Sequence, residues 1–134
     1  MRENNLRKTS DPGNDVTGLI GAKIASMSTT TISPHPPHVT LINVFTVVPE
    51  RQRELVDLLV EATEQVIQDV PGFISANIHA STDGTRVVNY AQWESAEALQ
   101  AMLADPAAQG HTSAAAAIAS YDPHLYTVES VHHR

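Results

Sequence analysis

Phe73-Ile74-Ser75-Ala76-Asn77-Ile78-His79-Ala80-Ser81, then Thr82-Asp83-Gly84-Thr85, then Arg86-Val87-Val88-Asn89-Tyr90-Ala91-Gln92-Trp93-Glu94 is the stretch on which the fold turns. Two extended segments rich in β-branched and aromatic residues flank an Asp-Gly pair. Asp-Gly between strands favours a two-residue hairpin loop whose central positions take positive φ. With Asp83 and Gly84 as that loop, Thr82 pairs with Thr85. The ladder then runs Ala80–Val87, Ile78–Asn89, Ala76–Ala91 and Ile74–Trp93. Opposed residues share a face of a sheet. One face is therefore Ile74, Ala76, Ile78, Ala80, Val87, Asn89, Ala91 and Trp93, small and apolar enough to lie under helices. The other is Phe73, Ser75, Asn77, His79, Ser81, Arg86, Val88, Tyr90, Gln92 and Glu94, whose mixed character suits a contact between subunits with a polar rim.

Working outward, Val39 to Val48 reads as a buried strand. Glu50 to Asp69 follows Pro49, with Leu55, Leu58, Leu59, Ala62, Val66 and Val70 at helical spacing and Glu54, Asp57, Glu61, Glu64 and Gln68 opposite. Pro71-Gly72 ends that helix. Beyond the hairpin, Ser95 is a helix N-cap for Ala96 to Ala104. Asp105-Pro106 starts a second helix that runs to about Ser120. Asp122-Pro123 reads as a turn, and His124 to His132 as a last strand. The order β-α-β-β-α-(α)-β is the split βαβ pattern of an α+β, ferredoxin-like domain with a four-stranded antiparallel sheet. Helices on one face leave the other bare, and a domain of about a hundred residues buries only ~65% of its unfolded surface. A homodimer is the expected remedy.

The 134-residue length implies one domain. Residues 38–133 carry the periodic pattern. Residues 1–37, rich in Ser, Thr, Asn, Gly and Pro, read as a flexible arm that ends in the stiff Ser33-Pro34-His35-Pro36-Pro37-His38. Absence of cysteine excludes disulfides, zinc–thiolate and iron–sulfur sites. A net charge of −7 opposes binding to nucleic acid or anionic lipid. No apolar run approaches the ~20 residues that span a bilayer. The N-terminus lacks the apolar region of a secretory signal, so the expected compartment is cytoplasmic. His35 and His38, without a third ligand, do not make a metal site.

Asn89 is anomalous as a carboxamide on an apolar face, four residues before the single Trp93 on the same side of its strand. An unpaired buried amide costs roughly 1–3 kcal/mol, so it requires a partner. Asn43 repeats the anomaly, alternating with Leu41, Phe45 and Val47. Ala76, Ala80 and Ala91 nearby remove volume where a ligand can sit. The residues thus point to an apolar pocket with a few convergent polar groups, while a structural amide beside an ordinary core Trp stays open as the alternative.

Val70-Pro71-Gly72-Phe73-Ile74-Ser75-Ala76, His79-Ala80-Ser81-Thr82-Asp83-Gly84-Thr85 and Val88-Asn89-Tyr90-Ala91-Gln92-Trp93-Glu94-Ser95 resemble the antibiotic biosynthesis monooxygenase family, in particular its quinone-forming members from aromatic polyketide pathways. The resemblance implies a dimeric α/β barrel and oxygenation with no metal, flavin or haem. It further implies a small aromatic substrate of the anthrone or dihydroquinone type, with O2 as co-substrate and a quinone as product. It places Asn89, Trp93 and Asn43 at catalytic positions. Two features depart from the family. Leu99 stands where the best-known members carry a tyrosine, and no arginine lies between Arg86 and Arg134.

His111, Tyr126, Tyr121, Ala76 and Phe45 are the candidates for contact with substrate. His79 belongs to the subunit face, and His124, His132 and His133 read as exposed. Two rival functions share the pattern. A passive dimer that binds a small aromatic needs the pocket and no chemistry. A haem-degrading oxygenase needs a histidine ligand on the helix after Trp93, and Ala96 to Ala104 contains none.

Overall fold

Seven elements follow one another in the computed structural model, which describes residues 28–134. They are β1 (Val39–Val47), α1 (Gln52–Gln65), β2 (Phe73–Ala80), β3 (Arg86–Trp93), α2 (Ala96–Ala104), α3 (Pro106–Ala116) and β4 (Ala119–Tyr126), with single 3-10 turns at Pro49–Arg51 and Ile67–Asp69 on either side of α1. The strands form one antiparallel sheet in the order β2-β3-β1-β4. The architecture is the expected α+β, ferredoxin-like one. Ile32–Arg134 is one unit. Most of the expected arm, residues 1–27, lies outside the described residues. Within the unit, the His35 backbone N–H donates to the Val128 carbonyl at 2.8 Å.

Local chemistry sets the element boundaries. Ser95 Oγ accepts from the Ala98 N–H at 3.1 Å and Asp105 Oδ1 from the Ala107 N–H at 2.9 Å, so both helices after the hairpin start on side-chain caps. Gly72, at φ +91, ends the segment after α1, and a Cβ there would lie 2.4 Å from that of Ala98. Glycine is needed at this point both for its backbone and for the close approach of α2.

The hairpin keeps its expected register, Ala80↔Val87 through Ala76↔Ala91, but its loop is longer than two residues. Ser81 and Arg86 close it through the Ser81 N–H and Arg86 carbonyl at 3.0 Å. Within the loop only Gly84 has positive φ, at +82. The cause is Asp83, whose Oδ1 accepts from Ser81 Oγ, the Thr85 N–H and Thr85 Oγ1 at 2.8, 3.0 and 2.7 Å. These bonds hold the aspartate out of the left-handed region that a two-residue loop demands. One extra residue on each side leaves the register intact. Gln52 then ties α1 to the hairpin, its Nε2 donating to the carbonyls of Ser81 and Arg86, both at 2.9 Å.

The same bonds, led by that from the Thr85 hydroxyl, lower the Asp83 pKa from 3.8 to about 2. A carboxyl that binds its proton more weakly when folded stabilises the fold above its ordinary pKa, and that contribution disappears as the pH falls towards 2. Asp83→Asn is expected to lower the urea midpoint at neutral pH and to flatten its decline between pH 4 and 2. Parallel acid profiles for the two proteins would show that the turn does not draw on this charge.

Three expectations are corrected. A β-bulge between Phe73 and Ser75 replaces the Ile74–Trp93 pair: Phe73 opposes Trp93, and Ile74 is 44% exposed. The Phe73 ring meets the indole edge-on at 5.4 Å and 79°, so the bulge turns the larger side chain into the core. α3 ends at Ala116 rather than near Ser120. The last strand begins at Ala119, so Asp122-Pro123 lies inside it. Proline is tolerated because β4 is an edge strand, and the neighbouring Asp122 N–H is taken by Asn43 Oδ1 at 3.2 Å.

Apolar side chains between helices and sheet form two clusters. Phe45, Val47, Leu55, Val56, Val87 and Ala115 make one, and Ala91, Trp93, Leu99, Met102 and Ala108 the other.

Candidate active site

A cavity of about 300 Å³ lies between the helices and the sheet, bordered by residues of both clusters. β1 contributes Leu41, Asn43 and Phe45, which alternate onto one face, and β3 contributes Asn89. α1 adds Leu59 and Ala62, and α2 adds Leu99, Gln100, Met102 and Leu103. On α3, Ala108, His111, Thr112 and Ala115 recur at helical spacing on the same wall. β4 closes the edge with Tyr121, Pro123 and Leu125. Leu103, Tyr121 and Leu125 are about half exposed, which puts the mouth beside β4 and the end of α2.

Asn43 and Asn89 are direct cross-strand partners. Side chains so placed have Cβ atoms ~4.5–5.5 Å apart, so the two carboxamides lie side by side. Their surroundings differ. Asn43 Oδ1 is bonded to the Asp122 N–H, which fixes the orientation of its amide and leaves the NH2 as the group it can offer. Asn89 Oδ1 is buried and has no hydrogen-bond partner among the described residues. Folding leaves an acceptor unsatisfied on a residue of a wall that is mainly Leu, Ala, Met and Phe, with Asn43, Gln100, His111 and Thr112 among its polar members. A ligand that donates a hydrogen there relieves a penalty that the empty protein carries.

The other expected site residues are distributed unevenly. Phe45, His111 and Tyr121 are on the cavity wall, and the rings of Phe45 and Tyr121 are 6.1 Å apart and tilted by 46°. Ala76, Tyr126 and Trp93 are not on it. Ala76 packs on the cluster around Trp93. Tyr126 alternates to the outer face, where it meets the His124 ring at 6.4 Å. Trp93, expected to stack on a bound ring, is 1% exposed and packs with Phe73, Leu99 and Met102. The expected alanines do not make the room. Ala62, Ala108 and Ala115 do, and the i, i+3, i+4, i+7 pattern of 108, 111, 112 and 115 was the available signal.

His79, with Nδ1 3.0 Å from the Asn77 carbonyl, is exposed on the outer face. Among the described residues no three His, Asp or Glu side chains converge as a metal site requires. None of the described helices is long and apolar enough to cross a membrane.

The fold has known counterparts. Residues 38–113 match the antibiotic biosynthesis monooxygenase family, and the chain belongs to that family. It is an oxidoreductase of the monooxygenase class. Over 81 residues it is 58% identical to tetracenomycin-F1 monooxygenase of Streptomyces glaucescens, a match that covers 60% of this chain and 72% of that protein. A Streptomyces coelicolor monooxygenase crystallised with nanaomycin D superposes with a TM-score of 0.66 at 35% identity, over 72% of this chain and 92% of that one. SnoaB, a cofactor-independent oxygenase from Streptomyces nogalater, gives 0.57 at 26% identity, over 70% and 95% respectively.

Proposed function

We propose that the cavity oxidises a reduced polyphenolic aromatic, of the anthrone or dihydroquinone type, to a quinone with dioxygen and without a cofactor. The observation that carries this reading is the Asn89 Oδ1, unpartnered among the described residues, beside Asn43 in a largely apolar chamber. A polyphenol fits both demands, since its ring fills the apolar space, one hydroxyl supplies the missing donor to Asn89 Oδ1 and another is left to ionise. The relatives support it: one is named for tetracenomycin F1, and another was crystallised with nanaomycin D.

The protein's work is positioning and electrostatics. Loss of the phenolic proton gives an electron-rich anion, which the carboxamide NH2 groups of Asn43 and Asn89 stabilise in a water-poor setting. The anion passes one electron to dioxygen. The two radicals join as a peroxide at a ring carbon that carries hydrogen, and loss of that hydrogen as a proton collapses the peroxide to carbonyl and water. A dihydroquinone already oxygenated at both carbons instead gives up two electrons and two protons to O2, forming quinone and H2O2. For an anthrone the balance is CH2 + O2 → C=O + H2O, with no external reductant. Phe45 and Tyr121 flank the flat substrate. Trp93 acts as a positioning residue by holding Leu99 and Met102, which form part of the wall.

The proposal includes a homodimer through the outer sheet face, where Ile42↔Tyr90 and Val44↔Val88 pair across β1 and β3. It also includes residence in the cytoplasm, consistent with an acidic, cysteine-free chain. Light scattering is expected to give twice the chain mass, and a monomer would remove the subunit contact from the proposal. Oxygen-electrode screening of reduced anthrones and naphthalenediols is expected to show one O2 consumed per quinone formed. No uptake across the panel would overturn the reading.

A further inference from the structure

The phenolic proton has to go somewhere, and among the described residues the cavity wall contains no Asp, Glu, Lys or Arg. Its titratable members are His111, Tyr121 and His124. Phenol is a poor acceptor at neutral pH, which sets Tyr121 aside. The His124 side chain is committed elsewhere. On β4 it alternates with Pro123 and Leu125 onto the outer face, its Nε2 lies 2.8 Å from Asp122 Oδ1, and its ring meets Tyr126.

His111 remains. It is half-buried on the face of α3 that also carries buried Ala108 and Ala115, and its ring nitrogens make no hydrogen bond among the described residues. Imidazole is the side chain that exchanges a proton in the neutral range. Of the charged groups on the elements packed around it, Glu97 on α2 and Arg53, Glu54, Asp57, Glu61 and Glu64 on α1 lie off the wall, and Asp122 is paired with His124. None of them competes for the proton.

We propose that His111 is the catalytic proton acceptor of this cavity, an inference that rests on reading it as a polyphenol site. A neutral His111 nitrogen takes the O–H proton as the phenolate forms between Asn43 and Asn89. After peroxide formation the imidazolium returns that proton to the terminal oxygen. The substrate C–H proton then leaves to the imidazole as the O–O bond breaks, and the departing hydroxide takes it up as water.

The test compares wild type, His111→Gln, which preserves bulk, and His111→Ala, which leaves a gap. With 1,5-naphthalenediol, whose carbon para to each hydroxyl carries hydrogen, kcat in oxygen uptake is expected to fall ~100-fold or more in both variants, the range of a lost general base. KM changes far less. The ascending limb of the kcat–pH profile disappears in both. Added imidazole restores His111→Ala at least about tenfold and leaves His111→Gln unchanged, a split that a packing role would not produce. Retention of kcat within about threefold in His111→Gln overturns the proposal, as does failure of rescue in an active background. A second readout needs no turnover. Bound 1,2-dihydroxyanthraquinone reports its ionisation by colour, and wild type is expected to hold the anion at pH 7 where His111→Gln holds the neutral dye. If wild type consumes no oxygen yet shifts the dye, the oxidation reading fails and the proton acceptor stands. If the dye binds identically to both proteins, the acceptor role fails on its own.

Discussion

Asn89→Leu is expected to lose turnover and gain stability at once. Asn89 Oδ1 is buried without a partner among the described residues, a penalty of ~1–3 kcal/mol. Leucine of similar size removes that acceptor and fills part of the cavity, so a gain of ~1–2 kcal/mol follows, seen as a higher urea midpoint with an unchanged slope. Losing one donor to the substrate anion is worth ~100- to 1,000-fold in kcat. Asn43→Leu should lower the midpoint, because it strips the Asp122 N–H of its acceptor. Two amides paired across the sheet thus carry opposite signs in stability and the same sign in activity. An Asn89→Leu protein that is less stable and still active would remove the amide from the mechanism.

Trp93→Ala should be the most destabilising single change in the sheet. The indole is 1% exposed and packs with Phe73, Leu99 and Met102, so truncation empties the second core cluster at a cost of ~3–5 kcal/mol. For a domain of this size that lowers Tm by well over ~10 °C, measurable by circular dichroism because the substitution removes the chain's one tryptophan. Trp93→Phe separates packing from direct contact. It should keep KM and most of kcat, with a smaller loss in Tm. If Trp93→Phe stays folded and loses kcat as completely as Asn89→Leu, the indole reaches the substrate and the positioning role is wrong.

The topology was legible because its signals are local. Asp83-Gly84, the Ser95 and Asp105 caps and the apolar face of α1 each act within a few residues, and they agree with one another. The hairpin register survived a wrong loop length, since the loop grew symmetrically. What the sequence concealed were contests between distant groups. Phe73 displaced Ile74 opposite Trp93 because a bulge gives the larger ring the core position. Pro123 looked like a turn because its place on an edge strand depends on strand order. The Asn43–Asn89 adjacency followed from alternation. The separation of Trp93 from the chamber did not, because α2 lies over the indole, and periodicity within β3 contains no information about that helix.

Pro123 in β4 has one more consequence. β4 pairs with β1 on one side only, and sheet margins of that kind can recruit further chains into fibres through their unpaired amides. At Pro123 there is no amide hydrogen to offer, and Asp122 and His124 on either side add polar groups that a docking strand would have to desolvate. The residue that breaks the ladder beside the chamber mouth therefore also serves as a gatekeeper against amyloid-like growth of the sheet.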